Sequence, residues 1–523
     1  MTARLQQRSA PANGDATARE TALPARRALE TLRRIDHALA LEPEHPTLLL
    51  LRAQSLLAIG ELRRAREAAR AAQCRAPADP RFFDALGTVY SRANDQPRAL
   101  AAYDRAIQLE PDNARLLFNR AAVRRFLGAL EQAEADYDRV IALAPNDYEA
   151  CKNRSDLRTQ TAERNHIAEL ETLLRRGTGD WRGEVLLRFA LAKEYEDLGA
   201  YEQSFRHLEQ GARLRRAHMR YDVAIDVETV DWIREAFPQV LTEASDVPAR
   251  GTSAATPGEP VPIFIVGLPR SGSTIVDRIL SSHSRVASAG ELSCFAEALV
   301  EAVQRQARGA PLPRRELVAR SAALDFRALG LEYLRRARAA GVGNGEGFFV
   351  DKMPLNFLYC GIIRRALPQA RIIHVHRSPL GACYALYKSL FEDGYPYSYH
   401  LGEIGRYYVA YRRLADHWNR TLPGAIHSLS YERLVASQSG ETRRLLEFCG
   451  LEWEDACLDF HRNPAPTTTA SAAQVRRPLY DTSVAQWRHY GAQLRELRDQ
   501  LRAAGIECDE DSELVAGQGA PPV

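Results

Sequence analysis

The chain has 523 residues, 45% of them hydrophobic, and a formal net charge of +3 from 70 basic and 67 acidic side chains. That length calls for two or more domains, and the near balance of charge points to neither a nucleic-acid nor a membrane-surface partner. There is no run of about 18 apolar residues, so no transmembrane helix is expected.

The N-terminal stretch MTARLQQRSAPANGDATARE has no apolar segment of the kind a secretion signal needs, and residues 1–24 are expected to be disordered. Eight cysteines (Cys74, Cys151, Cys294, Cys360, Cys383, Cys449, Cys457 and Cys508) are scattered without CxxC or other ligand spacing. In a chain this large they read as reduced and mostly structural, which suggests a cytoplasmic protein without a metal site.

Residues 25–240 form a helical repeat region. Pro43, Pro77, Pro111 and Pro145 recur every 34 residues, as do Ala53, Gly87 and Ala121, and again Ala65, Ala99 and Ala133. The small residues let paired helices approach closely. Gly60, Asn94 and Gly128 suit a left-handed turn between helices, and the prolines end each unit. Phe83, Leu86, Tyr90, Tyr103, Leu117 and Tyr137 supply the bulk between helices. Three full repeats cover about 46–147, with a partial one before and a degenerate pair at about 183–215. The period and its small residues resemble the tetratricopeptide repeat, which implies an all-α solenoid.

Residues 241–260, LTEASDVPARGTSAATPGEP, read as a linker. The second domain is expected over 261–508, with a flexible tail at 509–523. It opens on VPIFIVGLPRSGST: an apolar strand, the frame Gly267-x4-Gly272, and a helix starting near Ser273. A glycine loop running into a helix N-terminus makes an anion cradle. It departs from the nucleotide P-loop, because Ser273 stands where that motif has Lys and Arg270 lies inside the loop. Further strands are expected at 286–289, 348–350, 372–376 and 425–429, alternating with helices. Glu291 falls at the start of one helix, and others are read over 313–340, from Pro354 to about Leu367, and from Pro379. That alternation argues an α/β fold with a parallel sheet and a ligand site beyond the strand C-termini. Asp351-Lys352, Arg377 and Ser430-Tyr431 occupy such ends.

PRSGST beside an apolar strand, followed by RIIHVHRSPLGACYALYK, resembles the sulfotransferases that use PAPS (3′-phosphoadenosine 5′-phosphosulfate). The pattern is most similar to the tyrosylprotein sulfotransferase branch, and to bacterial proteins joining tetratricopeptide repeats to such a domain. The resemblance spans about 261–490 and implies a P-loop-like α/β sulfotransferase domain after the solenoid. By position, it implies that Arg270, Ser271, Gly272, Ser273 and Thr274 hold the 5′-phosphosulfate and Arg377 the 3′-phosphate. Tyr431 lies near the cofactor. Glu291 matches the catalytic carboxylate, and Lys352 the Lys at the bridging oxygen. In SAAQVRRPLY, a loop closing over the cofactor, Ser471 matches a catalytic-site Ser and Arg477 stands where relatives have Lys. One position departs: where relatives have Ser, eight residues after Arg377, this chain has Ala385, with Tyr384, Tyr387 or Lys388 able to compensate.

The reaction so implied moves a sulfuryl group from PAPS to a hydroxyl, with protein tyrosine suggested by the branch and a glycan, lipid or small molecule left open. The repeats suggest a protein or peptide partner. Two other readings stand beside it. Phe348–Asp351 resembles a strand ending in a metal-holding Asp, as in a P-loop kinase or NTPase, and a non-catalytic repeat scaffold would also carry these motifs. His374 and His376, on one strand face, read as core rather than as metal ligands, and Trp453 and Trp487 as core.

Overall fold

The computed structural model describes residues 14–238, 260–308, 310–342, 347–391, 394–469, 472 and 474–508, with side chains from residue 27 onward. Residues 1–13, almost all of the expected linker, the expected tail at 509–523 and Ser471 lie outside the described residues. A helix Gly14–Leu41 opens the description, beginning inside the segment that composition left without structure. Its sequence is rich in Ala, Leu, Glu and Arg, all strong helix formers.

One compact unit is helical and contains the repeats. The pairs are Pro46–Ala58 with Leu62–Gln73, Pro80–Arg92 with Gln96–Leu109, and Ala114–Leu127 with Leu130–Leu143. A later pair, Trp181–Asp197 with Tyr201–Ala217, matches the degenerate repeat. Gly60, Asn94 and Gly128 all take positive φ, 79°, 60° and 85°. Ala53, Ala65, Ala99, Ala121 and Ala133 are fully buried. At Gly87 the need for smallness is steric, since a Cβ there would meet Tyr103 Cζ at 2.8 Å. The same unit includes residues 464–476, where Thr467 N donates to the Phe126 carbonyl at 3.2 Å and Arg476 Nη2 donates to the same oxygen at 3.2 Å.

The other unit is built on five parallel strands: β1 Val261–Gly267, β2 Val286–Ser288, β3 Phe348–Asp351, β4 Arg371–His376 and β5 Ile426–Ser430. Their order is β2-β3-β1-β4-β5, so the chain departs from central β1 to one side and later returns to the other. Strand alternation sorts the side chains. Ile263, Ile265, Val350, Ile373 and Val375 join the core with Val276, Ile279 and Leu280 of helix Ser273–Ser281. Phe264 and Phe349 face the other way, into a ring cluster with Tyr333 and Phe295; the Phe264–Tyr333 centroids are 5.3 Å apart.

Helix Leu401–Thr421 covers β4 on that second face, with Tyr411 Oη 2.5 Å from His374 Nε2. His374 is buried and His376 half-buried, and burial pulls them down to about 3 and about 4, so neither stands as a charged group on the sheet. Helix Val223–Ala236, read from sequence as part of the repeat region, groups with this unit, which begins at His218. Its reasons are specific: His417 Nε2 lies 2.9 Å from the Phe237 carbonyl, and Phe237 packs edge-on to Trp418.

Candidate active site

β1 delivers the chain into the glycine loop through Gly267, at φ 145°, where a Cβ would press on the Val375 carbonyl of β4. Arg270 is held at φ 67°, a left-handed conformation unfavourable for a residue with a Cβ. Gly272 follows at φ 98° as the N-cap of helix Ser273–Ser281, and a Cβ there would meet the Tyr431 ring at 2.6 Å. Among the described residues no side chain caps this helix, and Ile275 N bonds back to the Gly272 carbonyl at 3.0 Å; a helix start of this kind can receive an anion. Ser271 is 1% exposed, and its Oγ has no hydrogen-bond partner among the described residues. A buried orphan hydroxyl beside an uncapped helix start fits an anion such as a phosphosulfate.

Arg377 leaves the end of β4 largely buried. One guanidinium nitrogen donates to the Ser483 carbonyl, Nε lies 3.7 Å from Glu432 Oε1, and the group sits 5.1 Å from the centroid of the Tyr431 ring. Burial lowers its pKa, with Glu432 opposing. Tyr431, at the end of β5, shares a 2.8 Å hydrogen bond with Ser483 Oγ. Tyr480 gathers the rest. Burial pushes its phenol up, Tyr431 adds to this, and Arg270, Arg477 and Arg377 pull it back. Three arginines that lie far apart in sequence therefore share one neighbourhood. Sequence reasoning missed Tyr480, although it ends the quoted segment SAAQVRRPLY.

Glu291 and Lys352 meet at the ends of β2 and β3. Lys352 N donates to the Gly290 carbonyl at 2.9 Å, and its Nζ forms an ion pair with Glu291 Oε1. The two exposures differ sharply: 2% of the Lys352 side chain and 42% of the Glu291 side chain are accessible. Lys352 is thus no solvated surface residue. Glu291 stands three residues ahead of helix Cys294–Gln306, whose first-turn acid is Glu297, so dipole compensation inside the helix does not explain it.

Asp351, the metal holder of the nucleotide-hydrolysing alternative, is committed elsewhere. It falls on the aromatic face with Phe349, accepting from Tyr333 Oη at 3.0 Å and Leu292 N at 3.4 Å. Burial raises its carboxyl to about 7. Ala385 is buried, and the groups offered to compensate for it have partners within the protein. Tyr384 stacks on Tyr490 at 4.6 Å, Lys388 Nζ donates to Gln486 Oε1 at 2.9 Å, and Tyr387 is buried. Trp487 is half-buried beside Gly381, and Trp453 is also half-buried, donating to Asp455 Oδ1 at 2.7 Å.

Comparison with known proteins gives two profile matches: the sulfotransferase family over residues 262–455 and the tetratricopeptide repeat over residues 86–163. An uncharacterized protein of Aquifex aeolicus (strain VF5) is 31% identical over 354 residues, which is 66% of this chain. The chain spans 45% of that relative's length. Among solved structures, the sulfotransferase domain of the Synechococcus PCC 7002 olefin synthase is 18% identical, covering 48% of this chain and 96% of its own, with a TM-score of 0.33. A sulfotransferase from Alicyclobacillus acidocaldarius is 15% identical, covering 48% of this chain and 97% of its own, with a TM-score of 0.26. The chain joins tetratricopeptide repeats to an α/β domain that matches the sulfotransferase family.

Proposed function

We propose that this protein transfers a sulfuryl group from PAPS to a hydroxyl acceptor. The observation that carries the reading is the shared edge of the sheet: the uncapped loop with its orphan Ser271 hydroxyl, and Arg270, Arg377 and Arg477 around Tyr480. PAPS, when bound, supplies the sulfuryl group. Ser271, Ser273, Thr274 and the amides after Gly272 would hold its phosphosulfate, with Arg270 beside them. Arg377 would take the 3′-phosphate, backed by Tyr431 and Arg477.

Sulfuryl transfer resembles phosphoryl transfer in needing position and charge more than covalent help. Glu291 is the general base: its exposed carboxylate takes the acceptor's proton as the acceptor oxygen bonds to sulfur. The sulfur–oxygen bond to the phosphate breaks, its electron pair stays on that phosphate oxygen, and Lys352 offsets the new charge. Ser471, outside the described residues, is assigned as a catalytic-site Ser from the family resemblance alone. The repeats recruit a protein that carries or presents the acceptor, and protein tyrosine is the first acceptor to try.

The test is incubation of the full chain with radiolabelled PAPS and a cell extract, together with calorimetric binding of PAP and of ATP. The expected result is label in protein, magnesium-independent binding of PAP and none of ATP. Glu291→Ala should bind PAP normally and transfer nothing. Binding of ATP without PAP would refute the reading, as would a wild type that labels no acceptor.

A further inference from the structure

Past the end of β4 the chain turns through Arg377 and Ser378 into helix Pro379–Tyr387. Ser378 is the N-cap of that helix, at φ −48° and ψ 141°. A serine in this place ordinarily accepts from an amide of the first turn. Ser378 makes no such bond: its Oγ is closed to solvent and has no hydrogen-bond partner among the described residues. Its backbone is held from the side of β5, where Glu432 Oε1 accepts from Ser378 N at 3.0 Å and Ser430 Oγ lies 3.2 Å from Glu432 Oε2.

A second buried donor lies beside it. Only 10% of the Arg377 side chain is accessible. One nitrogen of its guanidinium donates to the Ser483 carbonyl, but Nε has no hydrogen-bond partner among the described residues, the nearest carboxylate oxygen in its ion pair with Glu432 being 3.7 Å away. Both orphans face the same bare position. A Cβ on Gly381 would stand 2.5 Å from Ser378 Oγ, 3.1 Å from Arg377 Nε and 3.4 Å from Trp487 Cδ1. Gly381 is not among the glycines with positive φ, so what this position requires is room. Buried donors without acceptors are costly, and two of them converging at an uncapped helix start call for one ligand with several acceptor oxygens.

The same neighbourhood has a gap. The hydroxyl that the resemblance places eight residues after Arg377 is absent at Ala385, which is buried, while Tyr384 stacks on Tyr490 and Lys388 donates to Gln486. Ser378 is the hydroxyl next to Arg377 that has nothing to bind within the protein.

We propose that Ser378 is a binding residue for the 3′-phosphate, its hydroxyl donating alongside Arg377 Nε into the space that Gly381 leaves free, and that it supplies what Ala385 lacks. The inference rests on the PAPS reading above and adds to it the residue that tells a 3′-phosphorylated nucleotide from one without that group.

PAP and adenosine 5′-monophosphate differ by the 3′-phosphate alone. The ratio of their dissociation constants, measured by calorimetry on the full chain, therefore isolates this site. Ser378→Ala should weaken PAP about 10-fold, as loss of a hydrogen bond to a charged group does, and the monophosphate less than about twofold. Ser378→Asp separates ligand from cap, because Asp caps a helix as well as Ser does but repels a phosphate. It should melt within about 3 °C of the wild type and lose PAP by more than about 30-fold. Ser378→Thr keeps the hydroxyl and should keep the ratio. If Ser378→Asp does not fold, Gly381→Ala serves beside Ser378→Ala: its Cβ takes the free space, so PAP should fall and the monophosphate hold. A ratio unchanged in Ser378→Ala overturns the proposal, as do equal losses of both nucleotides with a lowered melting point, which would make Ser378 a cap alone. A wild type that binds PAP no better than the monophosphate would refute the PAPS reading and this inference with it. A wild type that prefers PAP, with the preference intact in Ser378→Ala, would refute this inference alone.

Discussion

Replacing Asp351 by Asn should stabilise the protein in alkaline solution and change its pH dependence in a defined way. Asp351 is fully buried at the end of β3, and burial lifts its carboxyl from 3.8 to about 7. A raised carboxyl binds its proton more tightly in the folded state. The contribution is therefore fully present below the unfolded value and is lost as pH rises through about 7. At about 1.4 kcal/mol per pH unit, the wild type loses about 3 kcal/mol relative to an uncharged side chain between pH 5 and pH 8. Asn fits the site: its carbonyl can accept from Leu292 N and its amide can donate to Tyr333 Oη, the two partners Asp351 has now. Urea unfolding of wild type and Asp351→Asn at pH 5 and pH 8, followed by circular dichroism, gives the difference directly. The advantage of Asn should grow by about 3 kcal/mol from the lower to the higher pH. A pH-independent difference would refute the buried-acid argument. A loss of stability at pH 8 would show that Asp351 is needed as an anion, which would revive a metal-holding role.

Arg377→Ala should weaken PAP binding by about 2 kcal/mol, roughly 30-fold, because a largely buried charge-assisted contact is lost; calorimetry showing unchanged affinity would remove Arg377 from the site. Gly272→Ala places a Cβ 2.6 Å from the Tyr431 ring at φ 98°, at a cost of about 1–3 kcal/mol. PAP affinity should fall while the far-ultraviolet spectrum stays unchanged, and tight binding by this variant would show that the loop is looser than its geometry implies. Gly87→Val sets a branched side chain against Tyr103, 2.8 Å from the first added carbon, and should destabilise the repeat unit by about 1–3 kcal/mol. Its melting point should drop with PAP binding intact.

The periodic parts of the chain were legible, and the reasons are local. Gly60, Asn94 and Gly128 reveal left-handed turns because few residues tolerate positive φ. Apolar runs located all five strands to within about two residues, since buried parallel strands need little else. The Tyr333–Asp351 bond and Tyr480 were not legible, because each acquires meaning only from a partner brought near by folding. Helix Val223–Ala236 was assigned to the repeats because amphipathic helices look alike along the chain. Contacts such as Arg314–Asp226, at 3.1 Å, and His417–Phe237 place it with the sheet unit.

The distribution of cations at the site follows from what each can hold. The arginines share their surroundings with neutral hydroxyls and one acid: Arg377 lies between the Ser483 carbonyl, the Tyr431 ring and Glu432. A guanidinium remains charged there even though burial lowers its pKa, and Glu432 opposes that fall. Lys352 is paired with Glu291, while Arg270, Arg477 and Arg377 all draw down the Tyr480 phenol. The loop without a Lys at its second glycine is thus half of a divided arrangement. An Arg at position 352 would bring a larger planar head into a space closed to solvent.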